Sequence, residues 1–535
     1  MTTTFDYIIV GAGSAGCVLA RRLSEDPSVR VLLLEAGPED RSMFIHIPAG
    51  FPKLFKGRLD WAPETAEEPH LDGRRLFWPR GKVLGGCSSI NAMLYIRGHR
   101  ADYDDWRDLG NPGWGWDDVL PYFKRSEDQT RGASEYHGVE GPLAVTDPQE
   151  PHRLSRAFVD AGVELGFPRN DDFNGDTQLG FGLYQVNQRN GRRCSAAAGF
   201  LKPVRQRPNL EVRTRAQVAR LVIDHGRVRG VELLGRRGRS PEVIQAGREV
   251  ILAAGAVGSP QLLMLSGIGP ADHLTDVGID PVVDLPGVGG NLVDHPVVSS
   301  VFEVQGMKTL DDAETLWNMM RYVFKKEGPY LSSVCEGGAF AYTSAEAEAS
   351  GRPDLQFHFL PAALVEHGFD VAAERGMNFG ATLVRPRSAG TIRLRDTDPA
   401  STPVIQANYL QDPEDLRVLV EGVRLARRLA ATQAFQPWVG REIRPGPDAQ
   451  DDEALAAFVR RTVETLYHPV GTCRMGPAGD LGSDRPPVVD PELRVHGVDG
   501  LRVIDASIMP IIPAGNTNAP TIMVAEKGAD LCLGS

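Results

Sequence analysis

Short continuous apolar runs and longer periodic ones alternate along this chain. Phe5–Val10 is continuous and ends at Gly11, the pattern of a strand buried on both faces of a parallel sheet. From Ser14 to about Glu25, Val18, Leu19 and Leu23 fall on one helical face, and Val29–Leu34 is a second buried run. Strand, helix and strand in that order predict the opening of a doubly wound sheet. Between Asp40 and Gly113 the periodicity gives way to proline, glycine and aromatic residues, which predict long structured loops of the kind that serve a site.

Further on, Leu210–Val212, Val218–Ile223 and Val228–Leu234 read as a meander, and Glu249–Ala253 as another buried strand followed by a helix from about Ser259. Arg352–Phe359 and Gly390–Arg395 alternate like strands of a second sheet, the floor of a substrate domain. Asp412–Ala431 is strongly amphipathic and predicts a helix. Gly500–Ile504 is a last buried strand, leading through Asp505 into a helix from about Asn518, where Asn518 reads as the cap. Buried strands at both ends predict an α/β fold (α+β overall), a Rossmann-like nucleotide-binding domain with an inserted substrate domain on an antiparallel sheet. The nucleotide domain is expected to be discontinuous, 1–155 with 208–300 and 465–535, and the substrate domain to comprise 156–207 with 301–464.

Composition narrows the classes. The 535 residues are 42% hydrophobic and 24% charged, an ordinary globular balance that at ~150 residues per domain suits two or three domains. A net charge of −12 argues against nucleic acid or an anionic membrane as partner, since each favours a basic surface. The six cysteines lack CxxC or other ligand spacing, so free thiols are expected, with no metal site. MTTTFDYIIVGAG has no basic region ahead of its apolar run and predicts no cleaved export signal. Val250–Ala271 and Ala506–Ala525 are uncharged, but their prolines and glycines predict strand–turn–helix segments, not membrane spans. A cytoplasmic protein is expected, with peripheral attachment at the inner membrane face left open.

Gly11-Ala-Gly13-Ser-Ala-Gly16 follows a strand and opens a helix, which gives the GxGxxG turn its meaning. The first glycine makes the turn, the second admits a pyrophosphate, and the third lets helix and sheet approach. Ser14 and Ala15 belong to the same cradle. Glu35, with Ala36 behind it, closes the second strand where a carboxylate accepts hydrogen bonds from ribose hydroxyls. The late strand ending in Asp505 points to FAD over NAD, because FAD adds a ribityl chain for such an acid to hold. Ala254, just past its strand, is placed beside the cofactor as well.

Several motifs, in order, resemble the glucose-methanol-choline oxidoreductase family over nearly the whole chain. They are GKVLGGCSSINAML at 81–94, GAVGSPQLLMLSGIG at 255–269, GVGGNLVDH at 287–295, HPVGTCRMG at 468–476, DASIMP at 505–510 and GNTNAPT at 515–521. Within the family the chain resembles bacterial alcohol, sorbose and choline dehydrogenases. The resemblance implies that Gly85, Gly86, Asn91, Ala92, Met93 and Leu94 lie along the pyrophosphate and flavin. It implies adenine contact through the Val218 backbone, ribityl–pyrophosphate contact at Asp505 and Ala506, and Asn516 and Thr517 beside the flavin pyrimidine. Members with covalent FAD carry histidine where this chain has Ile90, so non-covalent FAD is expected.

The chemistry implied is oxidation of an alcohol, primary and of aliphatic or polyol type, to the aldehyde or ketone. The hydroxyl proton must leave before or with the hydride, and His468 is the base suited to neutral pH. Asn516 would hold the substrate oxygen as charge develops there. His295 reads as fixing a turn, and His99 and His358 carry no functional argument. The pocket is expected from Leu466, Tyr467, Phe357, Phe359 and Glu336, the last a candidate partner for a choline-like cation. Electrons would pass to a quinone, another carrier or O₂. An oxidase producing hydrogen peroxide, a choline dehydrogenase, a lyase or photoenzyme on the same scaffold and a non-catalytic flavoprotein are the alternatives.

Overall fold

A mixed seven-stranded sheet built from both ends of the chain carries the βαβ opening. The computed structural model describes residues 4–235, 241–371 and 375–534. Thr4–Val10 lies in parallel between Val31–Glu35 and Glu242–Leu252, and Leu501–Val503 adds in parallel to the end of Glu242–Leu252. Val31–Glu35 is buried along its whole length, which is why its apolar run is continuous instead of alternating. The helix Ser14–Leu23 buries Val18, Leu19 and Leu23 and packs against the C-terminal helix Asn518–Leu533.

The predicted meander divides. Leu210–Thr214 runs parallel to Val31–Glu35 and covers that strand's outer edge, which would otherwise leave one side of a buried strand unpaired. A turn at Arg215, with φ at 57°, then takes the chain off the edge. Val218–Asp224 and Arg227–Leu233 form a hairpin that joins the other side, antiparallel to the first half of Glu242–Leu252.

The second sheet is antiparallel and also seven-stranded. It runs Val439–Arg444, Pro296–Val304, Gly376–Leu383, Leu355–Leu360, Gly337–Ala341, Gly180–Leu183, with Glu464–Thr465 paired to the start of Pro296–Val304. The helices Pro413–Ala430 and Arg153–Glu164 cover one face, and the other looks toward the nucleotide sheet. Pro413–Ala430 begins where its pattern says, with the Asp412 carboxylate capping the Glu414 amide at 2.9 Å. Thr391–Arg393, expected in this sheet, pairs instead with Val404–Gln406, because Gly390 is bound to Leu292 by reciprocal backbone hydrogen bonds. The helix Arg153–Glu164 and the strand Pro296–Val304 run unbroken across the boundaries expected at 155/156 and 300/301.

None of the six cysteines is joined in a disulfide. Among the described residues, no helix is long and apolar enough to cross a membrane, and no cluster of three or more metal-ligating side chains occurs.

Candidate active site

A cavity of about 450 Å³ runs from the carboxyl ends of the parallel strands to the inner face of the antiparallel sheet. Its first part is the GxGxxG turn. Gly11 has φ at 102°, and a Cβ there would sit 2.5 Å from the Ala253 carbonyl; one on Gly16 would sit 1.8 Å from the Gly11 carbonyl. Both positions therefore exclude side chains for steric reasons. Gly13 precedes the helix Ser14–Leu23 without a side-chain cap, leaving the first-turn amides free to face an anion. Ser14 and Ala15 line the same wall, while Gly16 lies behind it as a packing glycine.

Glu35 and Ala36 follow on the next strand. The Glu35 carboxylate accepts from the amides of Ala12 at 3.0 Å and Gly37 at 2.7 Å, one per oxygen, and each oxygen keeps a lone pair for a ribose hydroxyl. Burial pushes its carboxyl up to about 7, against those two hydrogen bonds. Asp505 differs. Its oxygens accept from the Gly255 amide (2.8 Å), Ser259 Oγ (2.5 Å), and the Ser507 amide and hydroxyl (2.8 and 2.6 Å). With four donors in place, the acid fixes two turns that meet at the cavity and has little acceptor capacity left for a ribityl chain. Ala506, Ala254 and Val218 complete this end of the wall.

The loop at 81–94 closes over the glycine turn. The Gly85 amide donates to the Ala12 carbonyl at 2.7 Å, and a Cβ on Gly86, whose φ is 50°, would lie 2.8 Å from Gly13 Cα. Gly86, Ile90, Asn91, Ala92, Met93 and Leu94 line the cavity, with Gly85 one layer behind. Arg193, missed in the sequence, holds this loop from inside. It donates to Asn91 Oδ1 at 2.7 Å and to the backbone of Ser88 and Ile45. Buried among neutral acceptors, its guanidinium is pushed down to about 9 by desolvation. No local pattern in the sequence marks it, since it lies 102 to 148 residues from its partners.

His468 and Asn516 meet at the far end of the cavity. His468 Nε2 is 3.2 Å from Asn516 Nδ2, and His468 Nδ1 is 3.0 Å from His295 Nδ1. His295 is therefore more than a turn residue, which corrects its expected role. Gln356 donates to Asn516 Oδ1, so Asn516 presents its N–H group to His468 Nε2; that nitrogen therefore carries no proton, and His295 Nδ1 is the acceptor for His468 Nδ1. His468 must then donate from Nδ1, which leaves the Nε2 lone pair directed at Asn516 and the cavity. Burial pushes the His468 imidazole well below its usual value, and His295, His358 and Arg80 add in the same direction. The ring is neutral at physiological pH. Asp294, the neighbour of His295, fixes the loop by accepting from the His468 amide at 2.7 Å and from the hydroxyls of Thr465 and Tyr409. Tyr467 sits at φ 71°, a conformation this anchoring imposes.

Leu466 and Tyr467 line the cavity as expected. Phe357 and Phe359 do not. They occupy the opposite face of Leu355–Leu360, where Phe359 stacks on Phe158 with ring centroids 4.9 Å apart. The alternation of the strand turns His358 and Leu360 to the cavity instead. Glu336 is also off the cavity: it accepts from the His152 amide at 2.7 Å and from the hydroxyls of Ser155 (2.7 Å) and Ser332 (2.6 Å). It anchors the segment entering the sheet and is not placed to meet a substrate cation. His358, for which the sequence offered no argument, is buried beside Asn516. Its Nδ1 meets Thr382 Oγ at 3.1 Å, and its Nε2 closes no hydrogen bond among the described residues. Gln356 Nε2 donates to Asn516 Oδ1 at 3.4 Å and orients the amide so that its N–H groups face His468. Thr517 lines the cavity and precedes Asn518–Leu533; it occupies the cap position expected for Asn518, whose Oδ1 instead accepts from Ser14 Oγ at 2.8 Å.

A dinucleotide cradle opening directly onto a neutral buried base is the layout of a flavin-dependent oxidoreductase. Residues 5–297 and 386–525 match the two family models described as GMC oxidoreductase. The alcohol dehydrogenase [acceptor] of Pseudomonas putida is 45% identical over 99% of this chain and 96% of its own length. An oxygen-dependent choline dehydrogenase of Sinorhizobium fredii is also 45% identical, over 99% of this chain and 95% of its own length. Among solved structures, pyridoxine 4-oxidase from Mesorbium loti superposes with a TM-score of 0.89 at 35% identity, covering 98% of this chain and 99% of that one. The chain belongs to the GMC oxidoreductase family, and its cofactor is FAD. The residues present fit that cofactor: uncapped amides for the pyrophosphate, Glu35 lone pairs for the ribose, and the loop residues Ile90, Asn91, Ala92, Met93 and Leu94 along the cavity wall for the ring system.

Proposed function

We propose that the protein oxidises an alcohol with an apolar tail to its aldehyde or ketone and passes the electrons to an acceptor other than O₂. FAD, when bound, supplies the hydride acceptor. The observation that carries the reading is the His295–His468–Asn516 series, which presents one unprotonated nitrogen and one amide donor to the same point in the cavity.

A substrate hydroxyl placed between them donates its proton to His468 Nε2 while Asn516 Nδ2–H donates to its oxygen. The two contacts act on the same atom, one removing the proton and the other stabilising the charge that remains. His295 holds the imidazole in the accepting tautomer throughout. Phe55, Leu360, Leu466 and Tyr467 wall this end of the cavity and keep water from the developing charge. Such walls favour an aliphatic or aromatic alcohol over choline, and the displacement of Glu336 from the cavity supports the same preference. The acceptor reading draws on the relative from Pseudomonas putida. An anaerobic panel of alcohols, followed by reoxidation with O₂ or a quinone analogue, tests both halves. Flavin bleaching by long-chain alcohols and fast reoxidation by the quinone are expected; no bleaching by any alcohol, or equally fast reoxidation by O₂, would overturn the corresponding half.

A further inference from the structure

The helix Leu316–Lys325 is unlike every other amphipathic helix described above, because its apolar face is turned outward. Leu316 is 77% exposed, Trp317 69% and Phe324 78%, and Met320 and Val323 are exposed as well. At 100° per residue these five positions make a stripe of roughly 120°. The opposite side is what holds the helix to the protein. Tyr322 is buried, clustered with Ile47 and Leu331, and its hydroxyl donates to the Gly191 carbonyl at 3.0 Å. Lys325 follows the stripe along one edge with Arg321, whose guanidinium lies 3.6 Å from Glu327 and 4.0 Å from Glu150; Lys326 ends the helix, and no acid lies within it.

The helix also stands beside the cavity mouth. Its partner Ile47 leads into Pro48–Leu54, whose Phe51 and Pro52 line the cavity. Lys53 in that segment pairs with Glu314, just ahead of the helix, at 2.7 Å. Beyond the helix, Pro329–Leu331 carries the chain to Val334 and Cys335, which line the cavity too. Trp61, 40% exposed, lines the cavity as well and adds apolar surface.

We propose that Leu316–Lys325 docks the protein on a bilayer surface carrying anionic lipid, with the cavity mouth facing the membrane. Ten residues are too few to span, but an outward stripe of Leu, Trp, Met, Val and Phe edged by lysine and arginine suits a helix lying in the headgroup–acyl boundary. The net charge of −12, which argues against such a partner for the chain as a whole, is a property of the entire surface. Charges more than about 10 Å away are screened at moderate salt, so the basic edge governs at contact. Docked this way, the entrance opens where apolar alcohols and quinones concentrate. The docking itself does not depend on the identity of either.

Sedimentation of the FAD-loaded protein with phosphatidylglycerol–phosphatidylethanolamine vesicles, and separately with phosphatidylcholine vesicles, tests this. The wild type is expected to pellet with the anionic vesicles, less so in high salt, and brominated lipid should quench Trp317 fluorescence. Trp317→Ser/Phe324→Ser should reduce pelleting by about tenfold or more, and Lys325→Glu/Lys326→Glu should weaken anionic binding selectively. Unchanged flavin absorbance and unchanged activity with a soluble acceptor keep loss of folding distinct from loss of docking. A wild type that stays in the supernatant, or a double variant that pellets as well as wild type, overturns the proposal. So does a dimer in sedimentation velocity that Trp317→Ser/Phe324→Ser converts to monomer without any vesicle binding, since a second copy would then be the occupant.

Discussion

Replacing His295 by phenylalanine tests the arrangement proposed to make His468 a base. An aromatic ring is kept, but the acceptor that meets His468 Nδ1 at 3.0 Å is lost. In the accepting tautomer, His468 then carries a buried N–H without a partner, a penalty of about 1–2 kcal/mol on that tautomer. The other tautomer, with the proton on Nε2, cannot take a proton from the substrate. At 1.36 kcal/mol per factor of ten, anaerobic flavin reduction should slow by roughly 5- to 30-fold. His295→Asn, which restores an acceptor, should recover part of the rate. The pH profile separates this from general damage. Burial pushes the His468 pKa down, and a base with a lowered pKa gives up its proton at lower pH, so the acid limb moves to the acid side. Reduction should therefore stay level from neutrality to well below pH 6.5 in the wild type and in His295→Phe alike, because the histidine remains buried. Stopped-flow reduction with one good alcohol reads both quantities. A His295→Phe rate equal to wild type would refute the tautomer argument; a rate as low as His468→Ala would make His295 itself the base.

Three further outcomes follow from the same geometry. His468→Ala should keep FAD yet slow flavin reduction by at least ~10²-fold, and Asn516→Ala by roughly 10–10³-fold; the double variant should lose less than the product of the two, and strict multiplicativity would disprove a shared oxygen. Acid precipitation should release all yellow colour to the supernatant, since the loop position occupied by histidine in covalent members is Ile90; colour in the pellet would show a covalent bond. Phe359→Ala should cost about 3–5 kcal/mol of stability and leave KM unchanged, as urea unfolding and steady-state assays would show, whereas a raised KM at full stability would return Phe359 to the substrate wall.

The parts of this enzyme legible in the sequence are those encoded locally. GxGxxG and Glu35 belong to one βαβ unit, and burial on both faces of a parallel sheet writes itself as unbroken apolar runs. His468 and Asn516, which the fold brings within 3.2 Å of each other, are each marked in the sequence by a motif of its own. Leu355–Leu360 shows the limit. Its alternation is plain, but both faces are buried, so hydrophobicity could not say which one looks at the cofactor. The helices Arg153–Glu164 and Pro413–Ala430, far away in the chain, claim the phenylalanine face and leave His358 for the cavity. Glu336 misled for a related reason: a lone acid near the site attracts a functional reading, while the serines and amide that satisfy it are invisible without the fold. The helix Leu316–Lys325 cannot be told apart in the sequence, because its period looks like that of any other amphipathic helix. Only packing reveals that the apolar side faces out.

The interleaving of the two chain ends has a consequence for biogenesis. Ser14 Oγ donates to Asn518 Oδ1 at 2.8 Å, Arg22 pairs with Glu526 at 2.6 Å, and the Tyr7 hydroxyl reaches the Cys532 carbonyl at 3.0 Å. Leu501–Val503 must dock on Glu242–Leu252 before Asp505 can set the turns at the cavity. A ribosome that has made the glycine cradle has almost the entire message still to read before the residues that complete it emerge. At about 5–20 residues per second, the half-built cradle waits for tens of seconds, exposed to chaperones and unable to hold its flavin in a closed site. Cofactor retention is thereby expected to report on complete synthesis: a chain cut short before Asn516 lacks both that amide and the helix Asn518–Leu533, whose first turn lines the cavity, and is expected to hold no flavin.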